Sequence, residues 1–214
     1  MVVNYAGGAG EASALVQRIA AGGGRAVAVQ ADVSKADEVA RLFDAAEREF
    51  AGADVLVNNA GIMSLSPVAA TSDEAFDRMM AVNLKGTFNG LREAAKRLRS
   101  GGRIVNFSTS LIGLRLETYG VYAASKAAVE TLTAILSKEL RGRSITVNAI
   151  APGPTATDLF LNGKPAELVE RMAKMNPLER LGTPGDIAAA VSFLAGPDGA
   201  WINGQVLRAN GGMV

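Results

Sequence analysis

Short β-branched apolar runs alternate along the chain with segments whose apolar residues recur every three or four positions. Val2-Val3-Asn4 reads as a strand and Glu11 to Ala20 as a helix. Ala26 to Gln30 is a second strand. Ser34 is the expected N-cap of a helix over Lys35 to Phe50, with Glu38 in its first turns. Val55-Leu56-Val57 is a strand that runs into Asn58-Asn59-Ala60-Gly61, and Ser72 to Leu98 reads as a long helix with room for a break. Arg103 to Phe107 is a strand, Tyr119 to Leu140 a helix, and Ser144 to Ile150 a strand leading into Ala151-Pro152-Gly153-Pro154. Thr155 to Arg180 reads as a mobile stretch. Asp186 to Ala195, after Pro184, is helical, and Gln205 to Arg208 forms the last strand.

Apolar strands separated by helices predict an α/β fold, a parallel sheet with helices on both faces. Ligands of such sheets bind at the carboxyl ends of the strands. Four polar or Gly-rich segments fall there: Asp32, Asn58 to Gly61, Ser108 to Ser110, and Pro152 to Thr157. Their convergence on one edge marks a candidate site.

Composition narrows the chemistry. The 214 residues, 49% hydrophobic and 20% charged, suit one domain over 1–214 rather than a disordered or coiled-coil chain. A formal charge of +1 gives no electrostatic reason to expect nucleic acid or an acidic membrane as partner. His and Cys are both absent, which excludes thiolate zinc sites, cysteine nucleophiles and every Ser-His scheme. No apolar run approaches the roughly 20 residues of a membrane span. With no signal-peptide pattern and no cysteine, the expected compartment is the cytoplasm.

Proton transfer without histidine has one good candidate. Tyr122 and Lys126 stand at i and i+4, one turn apart on the same helix face. The helix follows Asn106-Phe107-Ser108-Thr109-Ser110, whose hydroxyls fall near its start. A nearby ammonium favours tyrosinate, and a neighbouring hydroxyl can hold a carbonyl oxygen.

These residues, together with Asn58-Asn59-Ala60-Gly61, Asn83 in Val82-Asn83-Leu84-Lys85-Gly86, Pro152-Gly153, Asp32-Val33 and the closing Trp201 to Gly212, resemble the short-chain dehydrogenase/reductase family. The order is right and the likeness covers essentially the whole chain. Asn4-Tyr5-Ala6-Gly7 and Asn148 to Pro154 are most similar to its tetrahydroxynaphthalene-reductase-like branch. The resemblance implies a Rossmann-like doubly wound sheet and hydride transfer between NADP(H) and a carbonyl or secondary alcohol. Tyr122 is then the general acid/base, and Lys126 lowers its pKa and grips the nicotinamide ribose. Asn83 holds a kinked helix and a relay water. Ser110 or Thr109 orients the substrate; Ser110 is favoured slightly, and Thr109 keeps the Asn106-x-x spacing. The cofactor side takes Asn4, Tyr5, Ala6, Asp32, Val33, Asn59, Ala60, Gly61, Pro152, Gly153, Thr155 and Thr157. NADP(H) is expected over NAD(H), because the ribose-facing strand ends Asn4-Tyr5-Ala6 without a carboxylate. Met and Leu residues between Leu159 and Leu181 either cover an apolar substrate or form the core face of a lid helix. Family likeness also implies a homo-oligomer, a tetramer or dimer, through the helices around Asn83–Leu98 and Tyr122–Leu140 and the last strand. The same site suits dehydration or epimerisation, which a substrate panel separates.

One part of the pattern is missing. The family opens with a strand and a Gly-rich turn that receives the pyrophosphate at a helix N-terminus. Gly7-Gly8-Ala9-Gly10 follows a strand but lacks the third glycine of the fingerprint. Only one βα unit separates it from the strand ending in Asn58, where the family has two. The chain therefore reads as N-terminally truncated, lacking the first strand, phosphate loop and first helix. Two open strand edges are the expected consequence, and a catalytically inactive fragment is the alternative reading.

Overall fold

The computed structural model describes residues Met1–Val214. Its elements are β1 (Val2–Tyr5), α1 (Ala9–Ala21), β2 (Val27–Gln30), α2 (Ala36–Phe50), β3 (Ala53–Asn58), α3 (Asp73–Met79) and α4 (Gly86–Arg97). After them come β4 (Leu98–Phe107), α5 (Leu111–Leu114), α6 (Gly120–Glu139), β5 (Thr146–Pro152), α7 (Asp158–Leu161), α8 (Ala166–Ala173), α9 (Pro184–Ala195) and β6 (Val206–Ala209). Every strand pair is parallel, which the intervening helices make possible.

The strands form two sheets. β1 pairs with β2, and β3-β4-β5-β6 pair in that order, with no ladder between β1 and β3. The two open edges expected from the sequence are thus present. Val55 and Val57 on β3 remain 45% and 40% exposed, although β-branched residues of this kind are normally covered in a parallel sheet. Helix α2 touches both β1 and β3 and so bridges the two halves.

The core belongs to the four-stranded half. On one face α2, α4 and α6 bring Val39, Phe43, Leu91, Ala94 and Leu136 against Ile104 and Val147. On the other, α9 sets Ile187 and Leu194 on Val105 and Ile150. Helices on both faces of a parallel sheet give the doubly wound, Rossmann-like architecture.

Local departures from the sequence reading have local causes. Ser34 does not cap α2. Its hydroxyl and backbone N–H both donate to Oδ1 of Asp32, at 2.7 and 3.0 Å, closing an Asx turn, and the helix begins after Lys35. The break in the long helix is a π-helical turn, Met80–Lys85, between α3 and α4. Ser72 caps α3, its hydroxyl accepting from Ala75 N at 3.2 Å. β5 starts at Thr146 because Ser144 takes φ +53°, which no strand accommodates. The stretch read as mobile contains α7 and α8.

Candidate active site

The loops after β3, β4 and β5 and helices α6 and α9 enclose a cavity of about 740 Å³. Among the expected site residues Tyr122, Lys126, Thr109, Ser110, Asn59, Gly61, Pro152, Gly153, Thr155 and Thr157 line it. The cavity also extends into the gap between the half-sheets, where Val2, Val3, Leu15 and Val57 form its walls.

Tyr122 and Lys126 sit on the buried side of α6, and Lys126 is only 3% exposed. Burial raises the Tyr122 phenol above the ordinary tyrosine value; the Thr109 hydroxyl beside it opposes that shift, and the Tyr119 phenol adds to it. The direction is opposite to the lowering expected from Lys126. Desolvation sets the direction at Tyr122, and desolvation also pushes Lys126 itself down to about 8. The Lys126 ammonium donates to the Phe107 carbonyl at 2.8 Å.

The two candidate hydroxyls are differently engaged. Thr109 meets Tyr122 and accepts from Leu111 N at 3.3 Å. Ser110 donates to the Ala151 carbonyl at 2.8 Å and accepts from Asn210 Nδ2 at 2.9 Å, so both its functions are used within the fold. Ser110, slightly favoured from sequence, is therefore tied to β5 and the C-terminal loop. Ser108 donates to Glu130 at 2.6 Å.

Asn83 is fully buried in the π turn. Its side chain accepts from Ile62 N at 2.8 Å and donates to Ile62 O at 2.9 Å and Ser125 Oγ at 3.2 Å. Ser125 in turn donates to Tyr122 O at 2.7 Å. Asn83 thereby ties the Asn59–Ile62 loop to the second turn of α6. A Cβ on Gly61 would lie 3.4 Å from both Asn83 Oδ1 and Lys126 Nζ. Bare backbone thus faces the buried ammonium, a cradle that fits the ribose and nicotinamide of a dinucleotide.

The phosphate half has no such receptor in the cavity. Gly7 to Gly10 do not line it, and a Cβ on Gly8 would lie 2.7 Å from Glu11 Oε2. The carboxylate of Glu11 already stands at the N-terminus of α1, where a pyrophosphate would be repelled.

Asn4, Tyr5, Ala6, Asp32, Val33 and Ala60 are not part of the cavity lining. Asn4 donates to the Ala31 carbonyl at 2.9 Å, and Gln30 donates to that of Ala6 at 3.0 Å. The Asp32 carboxyl is held below its usual value by the Ser34 hydroxyl and N–H, and Arg78 stands 3.8 Å away. Val33 packs on α4, where a Cβ on Gly86 would come within 2.6 Å of its Cγ2. Thr155 donates to the Gly153 carbonyl at 2.9 Å, shaping the turn after β5.

Tyr119, Glu130 and Asn210 were not singled out from sequence. Two tyrosines three apart were visible, but nothing local distinguishes a lining tyrosine from a capping one. The apolar lining includes Leu159, Phe160 and Met172 from the stretch expected to cover a substrate.

A family model described as enoyl-(acyl carrier protein) reductase matches residues 1–214. The chain is 51% identical over 196 residues to a short-chain type dehydrogenase/reductase of Picea abies, covering 90% of this chain and 72% of that protein. It is 44% identical over 228 residues to an NADPH-dependent aldehyde reductase-like protein, chloroplastic, of Arabidopsis thaliana, covering 100% and 84%. Among solved structures it is similar to the angucycline C-6 ketoreductase LanV with bound NADP, at TM-score 0.93 and 35% identity, covering 99% and 84%. By sequence and by fold, the chain belongs to the short-chain dehydrogenase/reductase family.

Proposed function

We propose that the site reduces an uncharged, largely apolar carbonyl compound at the expense of NADPH, and oxidises the matching secondary or primary alcohol in reverse. The observation that carries this reading is the meeting of Tyr122 and Thr109 in a cavity whose only charged side chain is Lys126. Tyr122, kept protonated by burial, gives its phenolic proton to the carbonyl oxygen as the oxygen gains charge. Thr109 orients that oxygen, and Ser110 braces the loop from behind. Lys126, Asn59, Gly61 and the Pro152–Thr157 turn hold the ribose and nicotinamide of the cofactor. When bound, NADPH supplies the hydride.

NADP(H) rather than NAD(H) is supported by the NADPH dependence in the Arabidopsis relative's name and by the NADP bound to the ketoreductase. It is also supported by the lack of a carboxylate at Tyr5-Ala6. Residues 1–214 act as one domain in this reading, since α2 spans both half-sheets. Self-association is proposed through α4 and α6, where Phe88 and Ile135 are exposed apolar residues on outward faces. No helix is long and apolar enough to cross a membrane. A cytoplasmic site is proposed on the absence of cysteine. The chloroplast in the Arabidopsis relative's name is the alternative compartment, and fractionation separates them. The test of function is NADPH consumption with a panel of aldehydes and ketones. Failure of every carbonyl in the panel overturns the reading.

A second, non-catalytic reading is favoured by the split sheet and the missing phosphate receptor. An NADPH titration separates the two.

A further inference from the structure

The wall of the cavity is mostly hydrocarbon, with Met63, Leu111, Phe160, Met172, Ile187 and Val191 among its residues. The polar side chains on the lining can be accounted for one by one. Ser108 is spent on Glu130 and Ser110 on Ala151 and Asn210, while Thr109 accepts from Leu111 N and keeps its donor for the substrate oxygen. Thr155 and Thr157 turn back to the Gly153 and Thr155 carbonyls, and Lys126 to that of Phe107. Three remain with no hydrogen-bond partner in the chain: Asn59, beside Gly61 at the cofactor end, Tyr122, whose phenol is the proposed acid, and Tyr119.

Tyr119 immediately precedes α6 and packs with Met79 and Tyr122, and Ile62, Met63 and Leu111 cover that cluster. It is 8% exposed. The side-chain atoms sealed from solvent without a partner are Arg103 Nε and Thr146 Oγ1, and the Tyr119 hydroxyl is not among them. The hydroxyl is therefore not sealed in the packing, and the residue lines the cavity. A buried phenol in a hydrocarbon wall leaves a donor and an acceptor unused, and a ligand group that meets them gains more than it would in water. Burial holds the Tyr119 phenol above the ordinary tyrosine value, so it stays a donor at neutral pH.

We infer that Tyr119 is a second hydrogen-bonding contact for the substrate. The site then selects uncharged carbonyl compounds whose apolar body carries another hydroxyl or carbonyl within reach of the reacting one. Tyr119 and Tyr122 are three residues apart at the head of α6, so their Cβ atoms are about 5–6 Å apart. Two phenols one turn apart can address two oxygen functions of one ligand. The inference deepens the carbonyl-reductase reading and rests on it for the placement of the reacting carbonyl.

The experiment compares benzaldehyde with its ortho-, meta- and para-hydroxy derivatives by equilibrium binding to the 214-residue chain and to Tyr119→Phe, with a thermal melt on each. At least one hydroxylated isomer is expected to bind the parent chain about tenfold more tightly than benzaldehyde. In Tyr119→Phe that ratio falls to about one. A ratio that persists in Tyr119→Phe, a ratio near one in the parent chain, or no binding of any probe overturns the inference. NADPH consumption is read separately. A Tyr119-dependent preference in binding without turnover of any aldehyde overturns the reductase reading and leaves the second contact standing. Turnover with no preference does the reverse.

Discussion

Thr109 stands beside Tyr122 and tempers the rise of its phenol, while the neighbouring Ser110 hydroxyl is turned to the Ala151 carbonyl and to Asn210. Both line the cavity, but the Ser110 hydroxyl is committed to the fold, so the proposal gives the reacting oxygen to Thr109. Thr109→Val is expected to lower turnover by about 10²-fold or more, the range for losing an oriented donor. Ser110→Ala is expected to retain most of its turnover and to destabilise the chain by about 1–3 kcal/mol, because it strands two buried partners. Kinetics and a denaturant titration on both variants check this; the opposite ranking of turnover returns the role to Ser110.

Tyr122→Phe removes the acid and keeps the ring. Carbonyl reduction should fall by about 10²-fold or more. In the parent enzyme the rate should decline as pH rises through about 8, where Lys126 loses its charge, while the Tyr122 phenol is still protonated. A pH–rate profile flat to well above that value would remove the Lys126 ammonium from the mechanism.

Lys126 also bears on stability. Its folded-state pKa of about 8 lies below the ordinary lysine value of 10.5, so between these values the unfolded chain binds more protons. The parent chain is therefore expected to gain stability as pH rises across that window, and to carry the full burden of the buried ammonium below it. Lys126→Met should lose activity yet melt no lower than the parent at neutral pH. Its advantage should shrink as the pH approaches that of free lysine. Melts across the pH range decide, and a variant that unfolds earlier at every pH contradicts the assignment.

The gap between β1 and β3 sets an expectation for the chain as it stands. With Glu11 at the head of α1 and Gly7 to Gly10 outside the cavity lining, NADPH is expected to be held by its nicotinamide half alone. Calorimetric titration in the micromolar range should show no saturation. The melt should be broad or end in aggregation, because two open parallel edges invite intermolecular pairing. Tight binding with a sharp cooperative melt would give Gly7 to Gly10 the phosphate role after all.

Ile135 on α6 is 49% exposed, and Phe88 on α4 is also an outward apolar residue. A helix-mediated dimer or tetramer would bury both. Ile135→Glu should shift the parent oligomer toward monomer in light scattering at micromolar concentration. A parent chain that is already monomeric there sinks the proposal.

Much of this was legible in the residues. β2, β3 and β4 announce themselves as β-branched runs, and Tyr122 with Lys126 as a one-turn pair. The missing ladder was legible as well, from the number of βα units before Asn58. The engagement of the Ser110 hydroxyl was not, because its partner Asn210 lies 100 residues further along the chain. Ser34 looked like a cap until Asp32 claimed its hydroxyl. The downward shift expected at Tyr122 failed for a similar reason: sequence spacing reveals a neighbouring charge, but not how much water the fold removes from around it.

The π turn at Met80–Lys85 also acts as a phase adjustment. An α-helix advances about 100° per residue, so one residue more or less in a turn rotates everything downstream by that angle. The wide turn points Asn83 toward Ile62 and Ser125 and still delivers Leu91 and Ala94 to the core a few residues later. A single deletion that restored an ordinary helix there would rotate α4 about its own axis by roughly a quarter turn. Either the loop at Gly61 would lose its anchor or the core would lose its helix. The length of this segment is constrained as tightly as any side chain in the cavity, though none of its residues lines that cavity.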